Sequence, residues 1–234
     1  MLIGPQNSAV HVNHVRSRIR QAALAAGRDP DSVTLVAVSK SKTAELMRTA
    51  ATAGVTDFGE NYLQEAIAKQ DLLADLNLTW HFIGGLQSNK TRIVAERFQW
   101  VHSIDRLGIA QRLSEQRPFH APPLNVCIQV AVIPESTKGG IDPTGLASLA
   151  AAMAGLPRIA LRGLMCVPPP QTDPSAERQV FSRLRRLLEE LNAAGHALDA
   201  LSMVMSGDFE AAIAEGATHV RVGTALFGDR GPIT

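Results

Sequence analysis

The chain has 234 residues, 45% of them hydrophobic and 19% charged, a globular profile that excludes intrinsic disorder. Its 23 basic and 22 acidic side chains give a formal net charge of +1 and are interspersed, so no broad basic field exists to hold nucleic acid or an anionic membrane. Cys127 and Cys166 are too few for a disulfide framework or a structural zinc site, and both lie in apolar runs where buried, reduced thiols are expected.

The first element is an amphipathic segment with Val12, Val15, Ile19 and Ala22 on one face, closed by Gly27. It lacks the continuous apolar core and small-residue cleavage site of an export signal, and no apolar run reaches spanning length, so the expected address is the cytoplasm. His11 and His14 share its face without a carboxylate or third ligand nearby, and no metal site is expected. Beyond it, β-branched runs alternate with helical ones. Strands are predicted at Val33, Val55, Thr79, Gln99, Leu124, Ala160, Ala200 and His219, which makes eight. Helical runs with stop signals separate them, among them Leu46 to Ala50 before Gly54, Phe181 to Leu191 before Gly195 and Phe209 to Ile213 before Gly216. Asp173 followed by Pro174 reads as a helix opening.

Eight strands, each after the first preceded by a helix, favour a closed (β/α)8 TIM barrel, of class α/β, over an open sheet. The last strand ends near Gly228 and six residues follow, so residues 1–234 are expected to be one domain with an extra N-terminal helix. In such barrels the chemistry sits where strands end, at the C-terminal face.

The first strand ends LVAVSK, which puts Lys40 on that face, and the chain holds only five lysines against 18 arginines. A lysine in a partly desolvated mouth can attack an aldehyde or ketone and form a Schiff base, whereas a solvated lysine at a loop start would do nothing. The seventh and eighth strands end in LSMVMSGD and VRVGTALFG, rich in small and hydroxyl residues. Loops at these positions commonly cradle phosphate, and Ser206, Gly207 and a helix starting at Asp208 offer donors, as do Gly223 and Thr224. Ser206 and Asp208 can equally cap that helix. By period-two alternation Arg221 points to the same side as Gly223, into the barrel, where a buried arginine needs an anion or an acceptor. A Schiff-base lysine with a phosphate cradle across the mouth suits pyridoxal 5′-phosphate (PLP) and, almost as well, a sugar-phosphate aldolase.

Eight motifs in order turn that reading toward one family. They are LVAVSKSK (35–42), FGENYLQEA (58–66), WHFIGGLQSNK (80–90), VHSIDR (101–106), ESTKGGI (135–141), LRGLM (161–165), LSMVMSGD (201–208) and HVRVGTALFG (219–228). Nearly end to end, the chain resembles the pyridoxal phosphate homeostasis protein family, YggS-type relatives of the barrel domain of alanine racemase. The resemblance implies a fold-type III site in which Lys40 holds PLP as a Schiff base. It matches Ser206, Gly223 and Thr224 to phosphate-binding positions and Arg221 to an arginine that addresses the ring nitrogen or the phosphate. A permanent cation at the nitrogen would weaken the ring as an electron sink and suit a carrier.

Three other positions carry two readings each. Asn61 in FGEN either approaches the phenolic oxygen and ring or serves as a turn or cap residue. His81 shares its parity with Ile83, opposite to Trp80 and Phe82, and is either a packed histidine or one that lines the site. Lys138, in a glycine-flanked loop, either captures aldehyde during transfer or is a solvated loop charge. Leu86 to Lys90 are expected to form a loop and capped helix start that serve a substrate or partner surface. Gly207 departs from relatives that carry a larger or acidic residue there, which leaves a backbone cradle intact.

Functionally the resemblance favours a monomeric PLP carrier that buffers the cofactor or hands it to PLP-dependent apo-enzymes, with little or no catalysis of its own. A PLP-dependent amino acid racemase would need a second acid or base opposite Lys40, where racemases use a tyrosine from an appended domain, and the sole tyrosine here is Tyr62. The aldolase alternative would have Lys40 attack a substrate carbonyl instead of a cofactor.

Overall fold

The computed structural model describes residues 5–133, 139–168, 174–204 and 209–228. The predicted β-branched runs form strands β1 (Thr34–Val38), β2 (Asp57–Glu60), β3 (Thr79–Phe82), β4 (Trp100–Ile104), β5 (Leu124–Gln129), β6 (Ile159–Cys166), β7 (Ala200–Val204) and β8 (His219–Val222). All are parallel, and they close in chain order into one barrel, because β1 pairs with β8 as well as with β2. The eight expected strands are therefore present as a TIM barrel.

The helices are α1 (Pro5–Ala25), α2 (Ala44–Thr52), α3 (Leu63–Leu72), α4 (Thr91–Arg97), α5 (Leu107–Gln116), α6 (Pro143–Ala154), α7 (Pro174–Ala193), α8 (Phe209–Ala214) and α9 (Thr224–Phe227). Local chemistry sets their ends. Thr43 caps α2 by accepting from the Leu46 amide, and Asp142 caps α6 by accepting from Thr144, with Pro143 in the first turn. The expected stop residues Gly27, Gly54, Gly195 and Gly216 all have positive φ, between 67° and 100°, the conformation in which glycine ends a helix without strain. The helix opening expected at Asp173 and Pro174 is met by α7 starting at Pro174, while Asp173 lies outside the described residues.

The extra N-terminal helix takes a definite place in the outer ring. The helix after β8 is a single four-residue turn, too short to cover a strand, and α1 packs instead against α2, α8 and α9. Val12, Val15, Ile19 and Ala23 are buried there. Arg28 donates to the Ile213 and Ala217 carbonyls at 2.8 Å each, and Arg16 donates to the Gly54 carbonyl at 2.8 Å.

Alternation along the strands divides the barrel into two unlike layers. Outward residues such as Phe58, Trp80, Val101, Val126, Ile128, Leu164, Leu201 and Val220 pack against the helices in one apolar layer. The inside is different. Its apolar part is small, with Cys127, Met165 and Ala200 beside Trp100, and the buried polar side chains His81, His102, Ser202, His219 and Arg221 share the strands with it. His81 stacks on Trp100 at 5.7 Å, and His219 lies 4.6 Å from the same ring. Among the described residues no helix is long and apolar enough to cross a membrane.

Candidate functional site

At the C-terminal mouth, β1 runs out at Val38, and the half-buried Lys40 stands in the turn that follows. A buried ionic cluster grips that turn on both sides of the lysine. Lys69, reaching up from α3, donates to the Ser39 carbonyl at 2.8 Å, to Glu60 Oε1 at 2.8 Å and to Glu65 Oε2 at 3.2 Å. Ser39 Oγ donates to Glu60 Oε1 at 2.6 Å, and the Ser41 amide donates to Glu65 Oε2 at 2.9 Å. Ser41 sits at φ 58°, a left-handed position that a serine adopts only when its surroundings hold it there. Burial pushes the Glu60 carboxyl above the usual range, against the pull of its Lys69 and Ser39 hydrogen bonds. Two residues past Lys40, Lys42 Nζ donates to the Gly228 carbonyl at 3.0 Å and so ties the β1 turn to the end of α9.

Because closure makes β1 and β8 neighbours, with Ala37 opposite Val222, the residues expected on β8 stand beside Lys40. The sequence reading set the expected cradle across the mouth; adjacency of the first and last strands instead puts its β8 half, Gly223 and Thr224, next to the β1 end. Gly223 precedes α9, and Thr224, exposed, opens it. The side chain of Thr224 makes no hydrogen bond among the described residues. Ser206, Gly207 and Asp208, the remainder of the expected cradle, lie outside the described residues, as does Lys138.

Two residues before Gly223, Arg221 points into the barrel and is 1% exposed. Its Nη2 donates to the Cys166 carbonyl at 2.8 Å, its Nη1 donates to Ser202 Oγ, and its Nε is buried with no partner among the described residues. Burial pulls the guanidinium down to about 10. His81 faces the interior, as its parity requires, but deeper than the mouth. Both of its ring nitrogens are engaged, Nε2 with Asp57 Oδ1 at 2.9 Å and Nδ1 with His102 Nε2 at 2.9 Å, so neither is left for a ligand.

On the other side of the mouth, Asn61 follows β2 and packs its carbonyl where a Cβ on Gly84 would fall 2.2 Å away, so only glycine fits after β3. Asn61 Oδ1 is buried without a partner among the described residues. Asn61, Tyr62, Gln64, Phe82 and Lys90 line a cleft of about 440 Å³. Tyr62 is 58% exposed there, at the start of α3. The expected loop at Leu86 to Lys90 becomes a short 3-10 turn, Ser88–Lys90, leading into α4, and Gln87 makes no side-chain cap at its start.

The lysine, the arginine and the start of α9 thus converge around β8 and β1, and Asn61 stands at the next strand end. Sequence reasoning did not find Glu60, Glu65 and Lys69 under the β1 turn, nor Asp57, His102 and Ser202 below Arg221. Their signal was available only as parity: His102 alternates inward in VHSI as His81 does in WHFI, and Lys69 shares a helix face with Ala66. Both thiols are buried and free, and burial pushes Cys127 and Cys166 each up to about 12, so neither is a nucleophile. Among the described residues no cluster fit to hold a metal ion is present.

The model of the alanine racemase N-terminal domain family matches residues 10–231. A protein of Pseudomonas aeruginosa named pyridoxal phosphate homeostasis protein is 60% identical over 222 residues, which cover 95% of each chain. The chain belongs to this family. Its Escherichia coli member is 48% identical over 225 residues, 95% of this chain and 96% of that one. Among solved structures, PipY of Synechococcus elongatus with PLP bound superposes with a TM-score of 0.84 at 39% identity, covering 94% of this chain and all (100%) of that one. The family model thereby ties this chain to the racemase-type barrel by sequence.

Proposed function

We propose that this chain binds PLP at the β1 and β8 strand ends, joined covalently through Lys40, and serves inside the cell as a store or carrier of the cofactor. The observation that carries the reading is Arg221, a fully buried guanidinium whose Nε–H has no partner among the described residues, placed just below a lysine-bearing turn. A buried donor without an acceptor costs ~1–3 kcal/mol and calls for a ligand that accepts from it. The geometry suits the cofactor. PLP carries its aldehyde and its phosphomethyl arm on neighbouring ring carbons, as Lys40 and the Gly223–Thr224 start of α9 occupy neighbouring strand ends. Its ring nitrogen lies away from the aldehyde, and we assign Arg221 to it.

When bound, PLP supplies an electrophilic aldehyde that condenses with amines. What the chain itself does is hold and restrain. Lys40 is anchored by the Ser39 and Ser41 contacts on either side, Ser206 and Thr224 offer donors for the phosphate, and Asn61 offers its side-chain amide to the phenolic edge. A fixed cation opposite the ring nitrogen disfavours its protonation and restrains carbanion chemistry, which suits storage and transfer to PLP-dependent apo-enzymes better than turnover. A racemase would need a second acid or base across from Lys40, and the sole tyrosine is 58% exposed at the rim.

The test is optical and mass-spectrometric. Purified protein with PLP is expected to absorb in the near-visible, to lose that band in Lys40→Ala, and to carry the label on Lys40 after borohydride reduction. Arg221→Gln and Ser206→Ala are expected to weaken retention of PLP in equilibrium dialysis. A label on another lysine, or unchanged retention in both of the latter variants, rejects the site.

A further inference from the structure

Arg221 poses an electrostatic problem. Among the described residues no carboxylate lies within ion-pair distance of it, although it is 1% exposed. A guanidinium stripped of water needs acceptors or a counter-charge, or it does not stay charged and buried. Its acceptors lead to one. Ser202 Oγ lies 2.6 Å from His102 Nδ1, His102 Nε2 lies 2.9 Å from His81 Nδ1, and His81 Nε2 lies 2.9 Å from Asp57 Oδ1. The path crosses the barrel interior from β8 through β7, β4 and β3 to β2.

The two charged ends decide the direction of the links, since Arg221 only donates and Asp57 only accepts. Arginine can only donate, so Ser202 Oγ accepts from it and sends its own proton to His102 Nδ1. His102 Nδ1 is then an acceptor, and the neutral ring carries its proton on Nε2, which donates to His81 Nδ1. His81 in turn carries its proton on Nε2 and donates to Asp57. Each dipole therefore points the same way, from cation to anion, and each polarises the next. Burial holds both histidines below the ordinary imidazole range, His102 well below it, consistent with two neutral rings. Asp57 completes its environment with a 2.7 Å bond from Thr56 Oγ1. The remaining neighbour, His219, keeps its ring 5.8 Å from His102 and bonds Thr218.

We propose that Asp57 is the counter-ion of Arg221, acting through Ser202, His102 and His81, and that these four are positioning residues for the cofactor-facing guanidinium. The last step, and only that step, rests on the PLP reading.

The test begins with the full chain free of PLP and labelled with ¹⁵N. Long-range ¹H–¹⁵N spectra are expected to show His81 and His102 neutral, each with its proton on Nε2. Asp57→Asn and, as a smaller change inside the barrel, Ser202→Ala are each expected to move the Arg221 Nε–H resonance while circular dichroism stays native. With PLP added, both variants are expected to bind it more weakly, by about fivefold, the size of coupling carried by packed networks. Protonated histidines, Nδ1–H tautomers, or an Arg221 resonance unmoved in both variants would overturn the chain. A moved resonance with unchanged PLP affinity in both would overturn the positioning role. Should the wild-type protein bind no PLP while the tautomers and resonance shifts appear as stated, the chain stands and the cofactor reading fails.

Discussion

Two buried polar regions meet at the mouth of this barrel, and they solve the same problem in opposite ways. Beneath Lys40, Lys69 touches Glu60 and Glu65 directly, so opposite charges stand within 3.2 Å and much of the desolvation cost is offset on the spot. Beneath Arg221, the charges are held apart by three neutral groups whose hydrogen bonds all run one way. Direct pairing locks a backbone turn, because Lys69 and Glu65 also bind main-chain atoms on either side of Lys40. Separation leaves the cation less neutralised locally, with its Nε–H unbonded among the described residues and able to act on a ligand. The first region holds the Lys40 turn in place; the second presents a charge.

Breaking the ionic region should have the largest effect. Lys69→Met leaves Glu60, 0% exposed, without its cation, and a loss of about 3–5 kcal/mol in urea unfolding is expected, as for a buried pair deprived of one member. Acid should act on the neutral region instead. Burial depresses His219 to about 3 and lowers His81 and His102 as well, whereas the unfolded chain protonates near 6.5. The unfolded state thus binds more protons in that interval, so this stabilisation is full above pH 6.5 and is lost as the pH falls toward 3. Urea midpoints compared at pH 6.5 and 5 should differ by roughly 2 kcal/mol from His219 alone. The smallest effect sharpens the contrast. Glu60→Gln makes the ionic region partly neutral yet keeps an acceptor for Lys69 and Ser39, while Glu65 still pairs the lysine. A change of about 1 kcal/mol or less is expected from thermal melts. A loss as large as that of Lys69→Met would show that the Glu60 charge itself, not its hydrogen bonding, holds the turn.

The strands and the helix ends were legible because their causes are local. Alternation in TWHF and HVRV sets the inward residues, and the glycines after α1, α2, α7 and α8 stop helices by their own conformational freedom. Lys40 and Arg221 could be found for a related reason, since a strand end and a parity place them without reference to partners. The residues beneath them could not. Lys69 meets Ser39 across 30 positions, and Ser202 meets His102 across 100, so these contacts exist only once the barrel has closed. Closure also explains why Gly223 and Thr224 lie beside the β1 end: strands farthest apart in sequence became nearest neighbours.

The place of α1 in the outer ring bears on how the polypeptide is made. Helix α1 is synthesised well before α8 and β8, which form the other half of the seam it covers. Until then the apolar stripe of Val12, Val15 and Ile19 has only the α2 side of its seam to pack against, and the nascent chain must carry the uncovered side that far.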